Sequence, residues 1–348
     1  VRGYLTTPGS EPALIEELAQ DRLGARLAAP GVVLGDDPAQ AIDPVFARQQ
    51  LPDAGEVRAG SVSALAEATY ARIEGAVDRW PGPFSLHALA PAEAPDGLPS
   101  RIALVGRETL ALVAARRRRA SRRYVSPDTL PGLFGSETLL VQLLALSRDR
   151  LLVSAAAPRA LSLGGFDLAA WPAGDAPVAI DRAPPSRAYQ KLEEAFAWMG
   201  TAPAAGAACV DLGASPGGWT ATLRKRGARV VAVDRAPLDP PLDRDPEIAT
   251  VIGNAFNFTP SAPVDWLVCD VVAEPQRSLA LVERWLSESL CRNLVVTIKF
   301  KGRADYGRLA ALPALFARVR PRFARVKQLA HNKNEVTVMV AGDASRLG

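Results

Sequence analysis

The nine residues Asp211-Leu-Gly-Ala-Ser-Pro-Gly-Gly-Trp219 constrain this chain more than any other stretch. They follow an apolar run, Ala207 to Leu212, and precede an amphipathic run, Gly218 to Arg226. They therefore read as a tight strand-to-helix turn. Glycines at such a turn let the backbone approach a ligand, and the first helical turn presents free N–H groups. The spacing is not the G-x-G-x-x-G of dinucleotide sites, because three other residues separate Gly213 from Gly217 and Gly218. Arg235, after the acid of the following strand, leaves a phosphate-bearing ligand open at that one position.

The pattern around this turn predicts alternating strands and helices. Tyr189 to Met199 reads as a helix, Arg229 to Asp234 as a strand, Ala249 to Ile252 as a short strand and Val264 to Asp270 as another. Gln276 to Cys291 reads as a helix, Asn293 to Lys299 as a strand and Tyr306 to Val319 as a helix. Two strands close the series, about Ala324 to Ala330 and Glu335 to Val340. Such alternation argues a mostly parallel α/β sheet whose final hairpin adds an antiparallel strand. In these sheets ligands sit beyond the carboxyl ends of the strands, where Asp234, Asn254, Asp270 and Lys299 fall. A carboxylate at Asp234 suits a ribose diol, and Asn254 suits an adenine amino group. With the glycine turn these describe a pocket for a nucleoside with a phosphate-free tail, and S-adenosylmethionine (SAM) fits it.

The first ~165 residues read as mixed α and β. Helices are expected at Glu11 to Leu23, Val57 to Val77 and Glu108 to Arg123. Strands are expected at Pro83 to Ala90, Arg101 to Val105, Thr138 to Leu146 and Arg150 to Ala156. The Pro-, Ala- and Asp-rich stretch Trp171 to Pro185 reads as a linker. The expected organisation is therefore an N-terminal α+β region over 1–170, a linker over 171–185 and an α/β domain over 186–343, as 348 residues suggest.

Composition removes several classes. No stretch approaches the ~18 uncharged apolar residues of a membrane span. Val1 to Gln20 carries Glu11, Glu16 and Glu17, so no signal peptide is expected there. Cys209, Cys269 and Cys291 form no C-x-x-C pair, and His87 and His331 are far apart, so no metal site and a cytoplasmic setting are expected. Net charge is +4, and its excess lies after Pro185, with 22 basic against 16 acidic residues there. Two basic clusters stand out. Arg101 to Arg123 holds eight arginines against Glu108, and Lys299 to Lys333 holds ten basic residues against Asp305. Such clusters suit a polyanion. Only six of the 41 basic residues are lysine, and lysine, unlike arginine, can lose its proton.

The turn, with Lys191, Asp270, Lys299 and Glu335 in that order, resembles the FtsJ-type ribose 2′-O-methyltransferases. The resemblance is closer still to the RlmM-type subgroup, which methylates a cytidine ribose in bacterial large-subunit ribosomal RNA. Pro185-Ser-Arg-Ala-Tyr-Gln-Lys-Leu-Glu-Glu-Ala-Phe196, Asp211 to Thr220, Val268-Cys-Asp270 and Glu335-Val-Thr-Val338 carry it. In the first half only Phe46-Ala-Arg-Gln49 and the strand–helix rhythm match the subgroup, whose N-terminal part contains a THUMP RNA-binding domain. Three positions depart from the subgroup pattern. Ser215 stands where Cys is usual, Asn254 where Asp is usual and Ala188 where Ser is usual.

The resemblance implies a Rossmann-like SAM-dependent methyltransferase domain behind a THUMP-like region, acting on 23S rRNA. It implies cofactor contacts from Gly213, Ser215, Pro216, Gly217, Gly218, Trp219, Asp234, Asn254 and Asp270, although the Trp219 ring itself reads as helix packing. A ribose 2′-hydroxyl is a poor nucleophile until a base takes its proton. Lys299 is assigned as that base and Lys191 as a neighbouring cation. Asp270 and Glu335 would orient both lysines. Lys301 competes for the base role, and Lys191 with Glu193 or Glu194 could instead form a helix-surface pair. Contacts to RNA are expected from Arg116, Arg117, Arg118, Arg119, Arg122, Arg123, Lys301 and Arg303. The rival readings are methylation of transfer RNA or another ribosomal site, RNA binding without catalysis, and methylation of a small molecule.

Overall fold

The computed structural model describes residues 1–342, without the side chains of 303–305. The expected domain end at residue 343 and the Arg303 side chain lie outside the described residues. The chain divides between Asp175 and Ala176 into two compact units.

The first unit holds two four-stranded sheets. Strands β1 (Arg2–Thr6), β2 (Ala25–Ala29), β3 (Val32–Gly35) and β4 (Ala47–Leu51) form one in the order β2-β3-β1-β4, with helix α1 (Glu11–Gln20) between β1 and β2 in the chain. The second has the order β5-β8-β7-β6, from β5 (Gly55–Arg58), β6 (Phe84–Leu89), β7 (Leu139–Ala145) and β8 (Arg150–Ala156). Helices α2 (Val62–Arg79) and α3 (Leu98–Arg116) bury Leu65, Tyr70, Ile73, Ile102, Val105 and Val113 with this sheet, and the short α4 (Arg118–Ser121) follows.

Two expectations fail here. Arg101 to Val105 is helix, not strand. Leu98, Ile102, Val105, Thr109 and Val113 are buried at spacings of three and four, whereas Ala103 and Leu104 are exposed. Val57 belongs to β5, which pairs with β8; helix α2 starts only at Val62, where Ser61 caps it by accepting from the Ala64 N–H (3.1 Å). Strands β1 to β4 were not expected. The stretch Trp171 to Asp175 packs within the first unit, where Arg48 pairs with Asp175.

The second unit follows the alternating pattern. It runs α5 (Tyr189–Met199), β9 (Ala208–Leu212), α6 (Gly218–Lys225), β10 (Arg229–Asp234), β11 (Ile248–Ile252), β12 (Val264–Cys269), α7 (Pro275–Ser287), β13 (Cys291–Lys299), α8 (Leu312–Val319), β14 (Phe323–Lys327) and β15 (Glu335–Ala341). The sheet order is β11-β10-β9-β12-β13-β15-β14. Strands β9 to β13 are parallel, and β15 is antiparallel to both its neighbours. The chain winds from β9 one way to β10 and β11, then the other way to β12 and β13. The order therefore reverses at β9, where a crevice opens beyond the strand ends. Helix α7 stops at Ser287 rather than Cys291, because Ser289 turns the chain at φ +53° and Cys291 pairs with Val264. The helix expected from Tyr306 is a 3-10 stretch until α8 begins at Leu312, with Pro313 in its first turn.

Candidate active site

The glycine turn lies at that reversal. Asp211, at the end of β9, is fully buried and accepts from the Thr220 hydroxyl on α6 (2.6 Å), which ties the turn's two flanks together. Burial pushes the Asp211 carboxyl up to about 7. Gly213 sits at φ +81°, and a Cβ there would lie 2.5 Å from a Val271 methyl. Gly217 sits at φ +119°, and its Cβ would meet Leu242 at 2.4 Å. Both positions thus exclude a side chain on backbone and packing grounds.

A pocket of about 170 Å³ opens beside the turn, at the ends of β9, β10, β11 and β12. Gly213, Asp234, Asn254, Phe256, Val271 and Arg277 line it, with the Arg277 guanidinium 4.2 Å from the Phe256 ring centroid. Asp234 accepts one backbone N–H on each oxygen, from Ser215 and Ala236 (both 3.1 Å). Each oxygen keeps capacity for a diol. Asn254 Oδ1 already accepts from Phe256 N (3.1 Å), capping its own short turn. The Ser215 hydroxyl donates to Pro237 O (2.9 Å), and Pro216 O accepts from Asp239 N (3.0 Å). Gly218 is buried at the start of α6. Trp219 is buried in the core and donates its Nε1–H to Ala188 O (2.7 Å), so its ring packs the helix.

Lys191, Asp270, Lys299 and Glu335 meet at the ends of β12 and β13. Lys191, in the first turn of α5, places Nζ 2.6 Å from Glu335 Oε1 and 3.2 Å from Asp270 Oδ2. Lys299 Nζ lies 3.0 Å from Asp270 Oδ1, donates to the Asp270 carbonyl (2.9 Å), and is 4.0 Å from Glu335 Oε2. The two amines therefore share one carboxylate. Desolvation works against the Lys191 charge, but Asp270 and Glu335 outweigh it and raise its pKa above the usual lysine value. Lys191 is thus held as a cation between two close carboxylates, while among the described residues Lys299 has Asp270 close and Glu335 at 4.0 Å. The surface-pair alternatives do not occur. Glu193 pairs with Arg226 (2.5 Å), Glu194 is buried, and Lys301 pairs with Glu274.

Some contributors escaped the sequence reading. Thr297 donates to Asp270 Oδ1 (2.6 Å) from two residues before Lys299, on the same face of β13. Asn332 donates to Glu335 Oε1 (3.3 Å). The alternation of β13 could have found Thr297; nothing in the spacing marks Asn332.

The basic clusters are less uniform than their composition suggests. Arg116 forms a two-pronged pair with Glu67 (2.8 and 2.6 Å), Arg117 pairs with Glu74 (2.8 Å), and Arg123 donates to Val77 O (2.9 Å). Arg118, Arg119 and Arg122 are exposed. In the second unit Arg318 pairs with Glu283 (3.0 Å), and Arg325 and Lys327 are buried against the Trp198 ring. No helix among the described residues is long and apolar enough to cross a membrane.

Residues 184–303 match the FtsJ-like methyltransferase family, as the motif resemblance implied. A ribosomal RNA large subunit methyltransferase M from Azotobacter vinelandii is 40% identical over 209 residues, which cover 55% of this chain and 58% of that protein. A namesake from Pseudomonas putida strain GB-1 is 38% identical over 207 residues, with the same shares. One from Halorhodospira halophila is 41% identical over 180 residues, covering 51% and 52%. The chain thus spans little more than half the length of these curated relatives.

Proposed function

We propose that this chain transfers a methyl group from SAM to the 2′-hydroxyl of a ribose in RNA, with a cytidine of 23S rRNA as the target. The observation that carries the reading is the pair of amines sharing Asp270, beside a pocket at the glycine turn. The family match and the relatives' names support the same chemistry.

The residues present fit SAM. Asp234 offers acceptors for a ribose diol, the Phe256 wall offers a flat apolar surface for a base, and Gly213 lines the pocket with bare backbone. Bound there, SAM supplies a methyl on a sulfonium, which needs no further activation. The protein's part is to place the sugar oxygen and take its proton. Lys299 is the proposed acceptor. Lys191, locked between two carboxylates, keeps its proton and supplies positive charge beside it. Asp270 holds both amines, and Glu335 anchors Lys191.

The first unit is proposed to select the RNA as a THUMP-like module. Arg118, Arg119 and Arg122 are its phosphate-binding residues, since Arg116, Arg117 and Arg123 are engaged within the unit. Ribosomal RNA as substrate places the protein in the cytoplasm. Mapping 2′-O-methyl marks in ribosomal RNA from cells with and without the gene tests the reading. One mark in 23S rRNA should vanish; an unchanged pattern overturns it.

A further inference from the structure

Glu194 lies one helical turn after Lys191 on α5, and its side chain is fully buried. A buried carboxylate is costly unless hydrogen-bonded. Among the described residues, its hydrogen-bond partners all come from the loop between β14 and β15. Oε1 accepts from Ala330 N (2.8 Å), and Oε2 accepts from His331 N (3.1 Å) and His331 Nδ1–H (2.7 Å). The next residue, Asn332, accepts from Leu329 N (2.8 Å) and from the Thr337 hydroxyl (3.1 Å), and its amide donates to Glu335 Oε1 (3.3 Å). Glu335 Oε1 is the atom that meets Lys191. The contacts therefore close a ring that runs Lys191, Glu335, Asn332, His331, Glu194 and back along α5 to Lys191.

We infer that Glu194 and His331 are positioning residues for the proposed methyl transfer: the Glu194–His331 clamp fixes the 329–332 loop, and through Asn332 it sets the Glu335 carboxylate against Lys191. The inference rests on the functional reading above and extends it to two residues that touch neither the pocket nor the paired amines. The clamp and the first lysine share one rigid helix, so the loop cannot shift without moving Glu335 relative to Lys191. Misplacement by about 1 Å at a reacting centre costs about a hundredfold in rate.

The test uses the full chain with SAM and a 23S rRNA transcript. Glu194→Gln places an amide against the loop N–H groups. It should lower kcat by about 10- to 100-fold, with KM for SAM and for RNA within about twofold of wild type. In a Glu335→Gln background the same change should cost under about threefold, because the clamp acts through Glu335. An equal loss in both backgrounds, or a change confined to KM, overturns the inference. If Glu194→Gln does not fold, His331 decides. His331→Ala should lower kcat by about 3- to 10-fold, and His331→Asn, which keeps a donor near Nδ1, should recover most of it. Equal activity of His331→Ala and wild type overturns the inference. If the wild-type chain transfers no methyl to RNA, it is the functional reading that fails. The clamp is then read from the Lys191 Nζ nuclear magnetic resonance signal, which should move in His331→Ala and return in His331→Asn; an unmoved signal overturns the clamp.

Discussion

Lys299 and Glu335 face each other in register across the β13–β15 ladder, yet the Glu335 carboxylate lies closer to Lys191. The separations are 4.0 Å to Lys299 and 2.6 Å to Lys191. An antiparallel strand thus presents its acid to a helix, and among the described residues the carboxylate nearest the ladder partner is Asp270. This asymmetry distinguishes two lysines that the sequence makes look alike.

The first prediction follows from it. Lys299→Ala should lower methyl transfer by about 10²- to 10⁴-fold, the usual range for a lost general base, and SAM affinity should stay close to wild type. Lys299→Arg should be nearly as inactive, because guanidinium cannot give up its proton. A purely electrostatic role would tolerate arginine. Single-turnover transfer and calorimetric SAM titration separate the two cases, and full activity in Lys299→Arg would move the base elsewhere.

The site was legible where side chains stand at strand ends. Asp234, Asp270 and Lys299 each close a strand of the expected parallel series, so their convergence followed from the strand pattern. Glu194 was illegible, because a glutamate one turn beyond a lysine reads as a surface pair, and only the fold reveals the loop above it. Strand β4 of the first unit was hidden for a related reason. In β4, Gln49 and Gln50 are buried, satisfied by Ala169 and by Asp167 O, so polar letters occupy interior positions. The resemblance at Phe46 to Gln49 runs into that strand from the residue before it, but the polarity of Gln49 and Gln50 concealed the geometry. The basic clusters misled in the opposite direction, since composition cannot tell Arg118 in solvent from Arg325 under Trp198.

The Asp211 carboxyl gives a second prediction. Its folded pKa, about 7, lies above the unfolded value, 3.8, so the native state holds the proton longer. Its contribution to stability is full below about pH 4 and is lost as pH rises through 7. The upper bound is about 4 kcal/mol from the size of the shift. Asp211→Asn keeps an acceptor for the Thr220 hydroxyl and removes the charge. The variant should gain more stability over wild type at pH 8 than at pH 5, measured by urea unfolding of the second unit. A gain of the same size at both pH values would count against a buried, protonated Asp211.

His87 behaves with the opposite sign. It is fully buried in β6 beside Gln142 of β7, neither ring nitrogen has a hydrogen-bond partner among the described residues, and burial lowers its pKa from 6.5 to about 4. The unfolded chain therefore takes up the proton first as pH falls. Stability is intact above about pH 6.5 and declines towards pH 4, by up to about 3 kcal/mol. His87→Leu removes both the titration and the two unpaired nitrogens. It should flatten the acid limb of the first unit's stability curve and leave pH 7.5 nearly unchanged or improved. An acid limb as steep as wild type in His87→Leu would place the titrating group elsewhere.

The arginine run gives the last prediction, because its members are not equivalent. Reversing Arg118, Arg119 and Arg122 to glutamate should weaken RNA binding and make it less sensitive to salt. The slope of log affinity against log salt should fall by about 0.7 to 0.9 for each phosphate that is no longer neutralised. Thermal stability should hold, since these side chains are exposed. Arg116→Glu should behave differently. It sets two carboxylates together at Glu67 and removes the cation 5.1 Å from the Tyr70 ring centroid, so the first unit should melt earlier, with a smaller change in salt slope. Filter binding across a salt series and a melting curve for each variant measure both effects. If Arg116→Glu and the triple reversal lower the salt slope equally, the division between structural and phosphate-binding arginines is wrong.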